Sequence, residues 1–148
     1  MAQTGSVAED IAMLVRVTGT ANSTPLVSSY VSAKNVGQLL ATLMTGDMAS
    51  ETIDFAIYQA TSSGGANAKS AKAITQVAAS AAANDSKEFI IGMRADELDV
   101  DGGFSFVAVR AVTGGATGGT VTMLLQGADL RYEPAANIDN ATVLQIVS

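Results

Sequence analysis

Four residues in the second half of the chain have the types and spacing of a cation loop. Glu97, Asp99, Asp101 and Gly102 fall at positions 1, 3, 5 and 6 of the twelve-residue pattern in which alternate carboxylates and a turn glycine wrap Ca2+. The pattern is incomplete. Its first position prefers Asp, and its twelfth falls on Ala108, where a bidentate Glu is needed. The residues that follow alternate as a strand and do not open a helix. The expectation is a solvated turn without a metal; weak Ca2+ binding by Glu97, Asp99 and Asp101 is the alternative. A second candidate is the run Thr113-Gly114-Gly115-Ala116-Thr117-Gly118-Gly119, whose backbone could face a phosphate. It lacks the Lys-Ser/Thr ending of a P-loop and precedes no helix, so it reads as a flexible hairpin loop. Arg110 stands in an apolar strand, on the same face as Phe104 and Phe106. It is expected either to reach solvent or a nearby carboxylate, or to make an ion pair between subunits.

Catalytic chemistry finds little else to use. The chain has no His and no Cys, the residues that most often move protons or attack carbonyls near neutral pH. Glu51 with Asp54, and Glu9 with Asp10, read as ordinary solvated carboxylates. The sequence therefore predicts a protein that is not an enzyme and carries no cofactor. Eight basic residues are scattered over 148 positions and the net charge is -6. A nucleic-acid backbone demands clustered positive charge, so that partner is not expected.

The elements that would position these residues are strands. Ile11, Met13, Val15 and Val17 alternate with Ala12, Leu14 and Arg16, the period of a half-buried strand. Residues 18–29 hold Pro25 and read as loop. Leu39, Ala41 and Leu43 mark a strand over 38–45, and Ile53, Phe55 and Ile57 mark another. Phe89, Ile91 and Met93, then Phe104, Phe106 and Ala108, then Val121, Met123 and Leu125 mark three more. The Ala-rich stretch 66–83 reads as a short strand near 71–77 followed by a loop, with a helix of three or four turns as the alternative. The whole predicts an all-β, antiparallel β-sandwich, jelly-roll-like, of about six to eight strands. Phe55, Ile91, Phe106 and Leu125 are the expected core.

Residues 1–134 are expected to form this single domain, with 135–148 as an extended C-terminal arm that docks on its own or a neighbouring subunit. Val143, Leu144, Ile146 and Val147 give that arm its apolar surface, suited to pairing with a sheet edge. Apolar residues are also in excess on the strands. Leu14, Leu40, Met44, Tyr58 and Ile90 lie opposite their strands' main apolar faces. In a monomer they would form exposed patches of the kind that mark interaction sites, unless the 18–35 loop or the arm covers them. No run reaches the roughly 18 apolar residues of a membrane span, and no targeting segment is evident at the N-terminus.

The pattern of residues 87–134 carries a resemblance. Lys87-Glu88-Phe89-Ile90-Ile91-Gly92-Met93-Arg94 leads through the acidic turn to Gly103-Phe104, a strand, the Gly-rich loop, and then Gln126-Gly127-Ala128-Asp129-Leu130-Arg131-Tyr132-Glu133-Pro134. It resembles small β-rich virion structural proteins, of head decoration or stabilisation type, encoded beside the major capsid gene of tailed bacteriophages and prophages. The resemblance implies a capsid decoration or cement protein, made in the bacterial host cytoplasm and resident in the virion. Its implied partners are copies of itself and the major capsid protein or other virion subunits. A neck or tail component, or a Ca2+- or glycan-binding β-sandwich module, are the alternatives.

Overall fold

The computed structural model describes residues 10–131. Nine strands form in the order β1 (Ala12–Ala21), β2 (Leu26–Val27), β3 (Val31–Ser32), β4 (Val36–Met48), β5 (Ile53–Ala60), β6 (Lys69–Ala73), β7 (Glu88–Arg94), β8 (Phe106–Thr113) and β9 (Gly119–Leu130). Two antiparallel sheets result. The front sheet has the order β1-β9-β4-β7; the back sheet has the order β2-β8-β5-β6, with β3 continuing β2 along the same edge of β8. This is the expected all-β sandwich, with one more strand than the upper expectation. The addition comes from the segment read as loop, where Leu26 pairs with Ala111 and Val31 with Val107. The C-terminal arm, with Val143, Leu144, Ile146 and Val147, lies outside the described residues.

The alternate apolar residues of β4, β5, β7 and β9 point between the sheets. Leu39, Leu43, Phe55, Ile57, Ile91, Val121, Met123 and Leu125 are all buried there. β1 departs from simple alternation because its pairing with β9 shifts between Met13 and Val15. A bulge reverses which parity faces inward, so Leu14 and Val15 are both buried. Leu14, expected outside, is thus a core residue.

β8 corrects a second expectation. Both of its faces are apolar, and its large aromatic residues predict that Phe106, Ala108 and Arg110 face the core. The structure buries Val107, Val109 and Ala111 against the front sheet instead. Phe106 and Arg110 are half-buried on the outer surface of the back sheet. The Ala-rich stretch divides into β6, a bridge from Val77 to Ile53, and a single helical turn α1 (Ala81–Asn84). α1 is tied to the end of β4: the Thr45 hydroxyl donates to the Asn84 carbonyl at 2.6 Å, and the Asp85 carboxylate accepts from the Met48 amide at 2.7 Å.

The Gly-rich run 113–119 is no hairpin. β8 belongs to the back sheet and β9 to the front, so the run is an arch over the end of the sandwich. Glu51 holds it. One carboxylate oxygen accepts from the Thr113 hydroxyl and the Gly118 amide, each at 2.8 Å, and the other accepts from the Thr117 amide at 3.0 Å. The Thr113 hydroxyl, followed by these backbone amides, draws the Glu51 pKa below the usual carboxylate range. Glu51 is therefore an anchor, not the solvated residue expected. A carboxyl whose pKa falls on folding adds stability above its unfolded value, and that stability is lost as pH drops through the folded value. Glu51→Gln should accordingly flatten the acid limb of the melting-temperature curve below about pH 4.5, measured by thermal melts from pH 7 downward. An unchanged acid limb would remove the anchor role.

Candidate interaction surfaces

The front sheet presents a patterned outer face. Its register places Met13, Gln126, Leu40 and Gly92 in one row across β1, β9, β4 and β7. The next row holds Arg16, Leu124, Thr42 and Ile90, and the next Thr18, Thr122, Met44 and Glu88. These residues point away from the core because their neighbours in each strand point into it. Ile90 is 62% exposed and Leu40 40%, large values for aliphatic side chains in the middle of strands. An antiparallel sheet facing water normally carries polar residues there. Leu40, Met44 and Ile90 thus stand outside as the sequence pattern predicts.

The outer face of the back sheet is built differently. Arg110 on β8 donates to the Tyr58 hydroxyl on β5 at 2.7 Å, and its guanidinium lies 4.9 Å from the Tyr58 ring centre. Ala56 pairs with Arg110 in register, and its small side chain leaves room for the guanidinium. Tyr30 closes the group from the segment between β2 and β3. Partial burial, then the neighbouring Tyr58, push its pKa up, against the opposing pull of Arg110. Arg110 thus has a partner that the sequence does not suggest: a phenol on the adjacent strand, with no carboxylate in an ion pair with it among the described residues. A shallow cavity of about 270 Å³ adjoins the pair, lined by Asp54, Tyr58, Ile74, Arg110 and Val112 among others. Asp54 at its rim accepts from the Gln76 amide at 2.8 Å.

The acidic turn does not assemble a cation site. Glu97 ends a 3-10 turn (Ala95–Glu97) and folds back to accept from the Arg94 amide at 2.6 Å, while its other oxygen meets Lys72 at 3.4 Å. Asp99 pairs with Lys69 at 2.5 Å and accepts from the Gly102 amide at 3.0 Å. The Arg94 amide for Glu97, and Lys69 for Asp99, are the main causes that hold both carboxyls below their usual range. Lys69 also sits 4.1 Å from the Phe104 ring centre. Asp101 is exposed. Among the described residues no three acidic side chains converge on one point. The turn is a clamp between β6 and the segment after β7, with lysines where a loop would need Ca2+. Adding millimolar Ca2+ should leave the melting temperature unchanged; a rise of several degrees would restore the cation reading.

Comparison with known proteins adds little. No family model matches the chain, and no curated protein matches it. A solved structure, "Bacillus endospore appendages form a novel family of disulfide-linked pili", contains a similar chain at 14% identity and a TM-score of 0.43. The match covers 86% of this chain and 98% of that one. A likeness at this level carries no functional argument.

Among the sequence-predicted residues, Glu97, Asp99 and Asp101 are therefore not brought together, and Arg110 is placed beside Tyr58. The Tyr30 contribution was missed. It comes from a segment with no strand alternation, and its only local signal is an aromatic residue in an otherwise small and polar stretch, Ser28-Ser29-Tyr30.

Proposed function

We propose that the chain is a non-catalytic structural subunit of a tailed-phage virion, one that decorates or cements the capsid through repeated contacts. The observation that carries the reading is the front sheet's outer face. Leu40, Ile90, Leu124, Met13 and Met44 stand outside a core that Phe55, Leu43, Met123 and their neighbours already fill. Leu40 and Ile90 are exposed and the other three half-buried, an apolar surface of the kind that marks association sites. The Tyr58–Arg110 pair gives the opposite face the residue types enriched at protein contacts. A modest contact repeated over a symmetric shell gains strength by multivalency, which suits a small subunit. The resemblance of residues 87–134 to head decoration and stabilisation proteins supplies the capsid partner in this reading.

The direct test is to mix purified protein with undecorated heads, sediment the particles, and identify the bound chains by mass spectrometry. Binding at a fixed stoichiometry, weakened by Leu40→Asp, is the expected result. Heads that pellet without the protein at saturating concentration would rule out the capsid assignment.

A further inference from the structure

We infer that the front sheet's outer face binds a second copy of this chain, face to face about a two-fold axis. The inference rests on the proposed structural role and specifies a partner for it. A two-fold contact uses one patch twice, so the patch must be complementary to itself. Consider an axis lying in the interface, close to the strand direction and midway between β9 and β4. It sets β1 over β7 of the second copy, and β9 over β4 of the second copy. The known register then fixes which residues meet.

Each row pairs a large side chain with a small or flexible one. Met13 falls over Gly92 of the second copy, and outside Gly92 no described residue beyond its chain neighbours comes within 4 Å of where a Cβ would stand. Leu124 falls over Thr42, Met44 over Thr122, and Leu40 over Gln126. Two sheets pack face to face in this way by interdigitating inner side chains.

The charges obey the same symmetry. Within the three rows Arg16 and Glu88 are the only ionised residues, one on each edge strand, and neither makes an ion pair within the described residues. Arg94, one row further along β7, is already paired with Asp96 at 3.0 Å. The two-fold brings Arg16 over Ile90 of the second copy, one row from Glu88. That offset is about 6.8 Å along the strand, within reach of an arginine side chain. Two equivalent Arg16–Glu88 pairs would flank the apolar centre. An arrangement that laid β1 over β1 would leave Arg16 along one edge and Glu88 along the other, too far apart to pair.

The contact is small. Four strands about 4.8 Å apart and three same-face rows about 6.8 Å apart give a footprint of about 400 Å² per copy. A stable interface contributes about 800 Å² per partner. The isolated pair should therefore dissociate readily and be held only where other contacts add to it.

Sedimentation velocity of the full chain over a concentration series tests this, with Arg16→Glu, Glu88→Arg, the double reversal, and Gly92→Gln. All three positions are exposed, and matching melting curves verify that each variant is folded. Wild type should self-associate weakly. Each single reversal sets like charges together at both ends and should weaken association about tenfold or more. The double reversal should return to within about threefold of wild type, as expected of directly coupled residues. Gly92→Gln should weaken association without any charge change. A wild type that stays monomeric at about 1 mM overturns the inference even if it still binds heads, which leaves the structural role standing. Single reversals that associate like wild type also overturn it. Loss of head binding with the full charge-reversal pattern intact would sink the capsid assignment and leave this contact in place.

Discussion

Phe55→Ala should lose about 3–5 kcal/mol of unfolding free energy, while Phe106→Ala should lose only about 1–2 kcal/mol. Phe55 is 1% exposed, the largest fully buried side chain among the described residues, and it is the third residue of β5, facing the front sheet. Truncating it removes its transfer free energy and leaves a cavity that the flanking Ile53 and Ile57 cannot fill without distorting β5. Phe106 begins β8 on the outer surface, where a truncated side chain leaves no closed void. Denaturant melts of the two variants measure the difference. Equal losses would mean that β8 is turned the other way, with Phe106, Ala108 and Arg110 inward.

Gly118→Ala should be similarly damaging, at roughly 3 kcal/mol or more, and Gly103→Ala provides its control. Both glycines have positive φ, +58° and +81°, where an L side chain costs of order 1–3 kcal/mol. At Gly103 that strain is the main effect, because among the described residues nothing beyond its chain neighbours lies within 4 Å of the added methyl. At Gly118 the methyl would overlap the backbone carbonyl oxygen of Ala21, at the end of β1. Backbone on both sides must move. The arch would lift away from Glu51, and the hydrogen bond from the Ala49 amide to the Gly118 carbonyl, 2.8 Å long, would be disturbed. Melting curves should show Gly118→Ala clearly below Gly103→Ala. If the two coincide, the arch does not approach β1 as closely as described.

The sandwich was legible in the sequence because most strands are half-buried in a regular way. The alternation at Leu39–Leu43, Ile53–Ile57, Phe89–Met93 and Val121–Leu125 marks the inward faces correctly. It failed where alternation carries no information or is interrupted. β8 is apolar on both faces, and large aromatic residues drew the core to the Phe106 side, although the space between the sheets is filled there by Val107 and Val109. In β1 one extra residue at the bulge inverted the parity. The arch was misread because a Gly-rich link between two strands looks the same whether they share a sheet or not. Which it is depends on the partners of β9, namely β1 and β4, far away in sequence. Glu51 was missed for the same reason: the amides it holds lie 66 and 67 residues further on. The candidate surfaces divide likewise. Leu40, Met44 and Ile90 were readable from their own strands, whereas the Tyr58–Arg110 pair joins strands 52 residues apart.

The place of β9 governs the order in which the protein can fold. Within the front sheet it lies between β1 and β4, with Ala12 opposite Gly127 and Leu39 also opposite Gly127. Among the described residues β1 thus has no neighbour in its own sheet until β9 has been made. β4 can pair early with β7, and β5 with β8, but β1 must wait for the last described strand. Such distant pairing closes a long loop before any contact repays it, which slows folding. Meanwhile Leu14, Val15 and the inner face of β4 stay uncovered on the nascent chain, where exposed strands invite mispairing. Insertion of β9 is then the step that commits the molecule, completing the front sheet, closing the arch and sealing the core together.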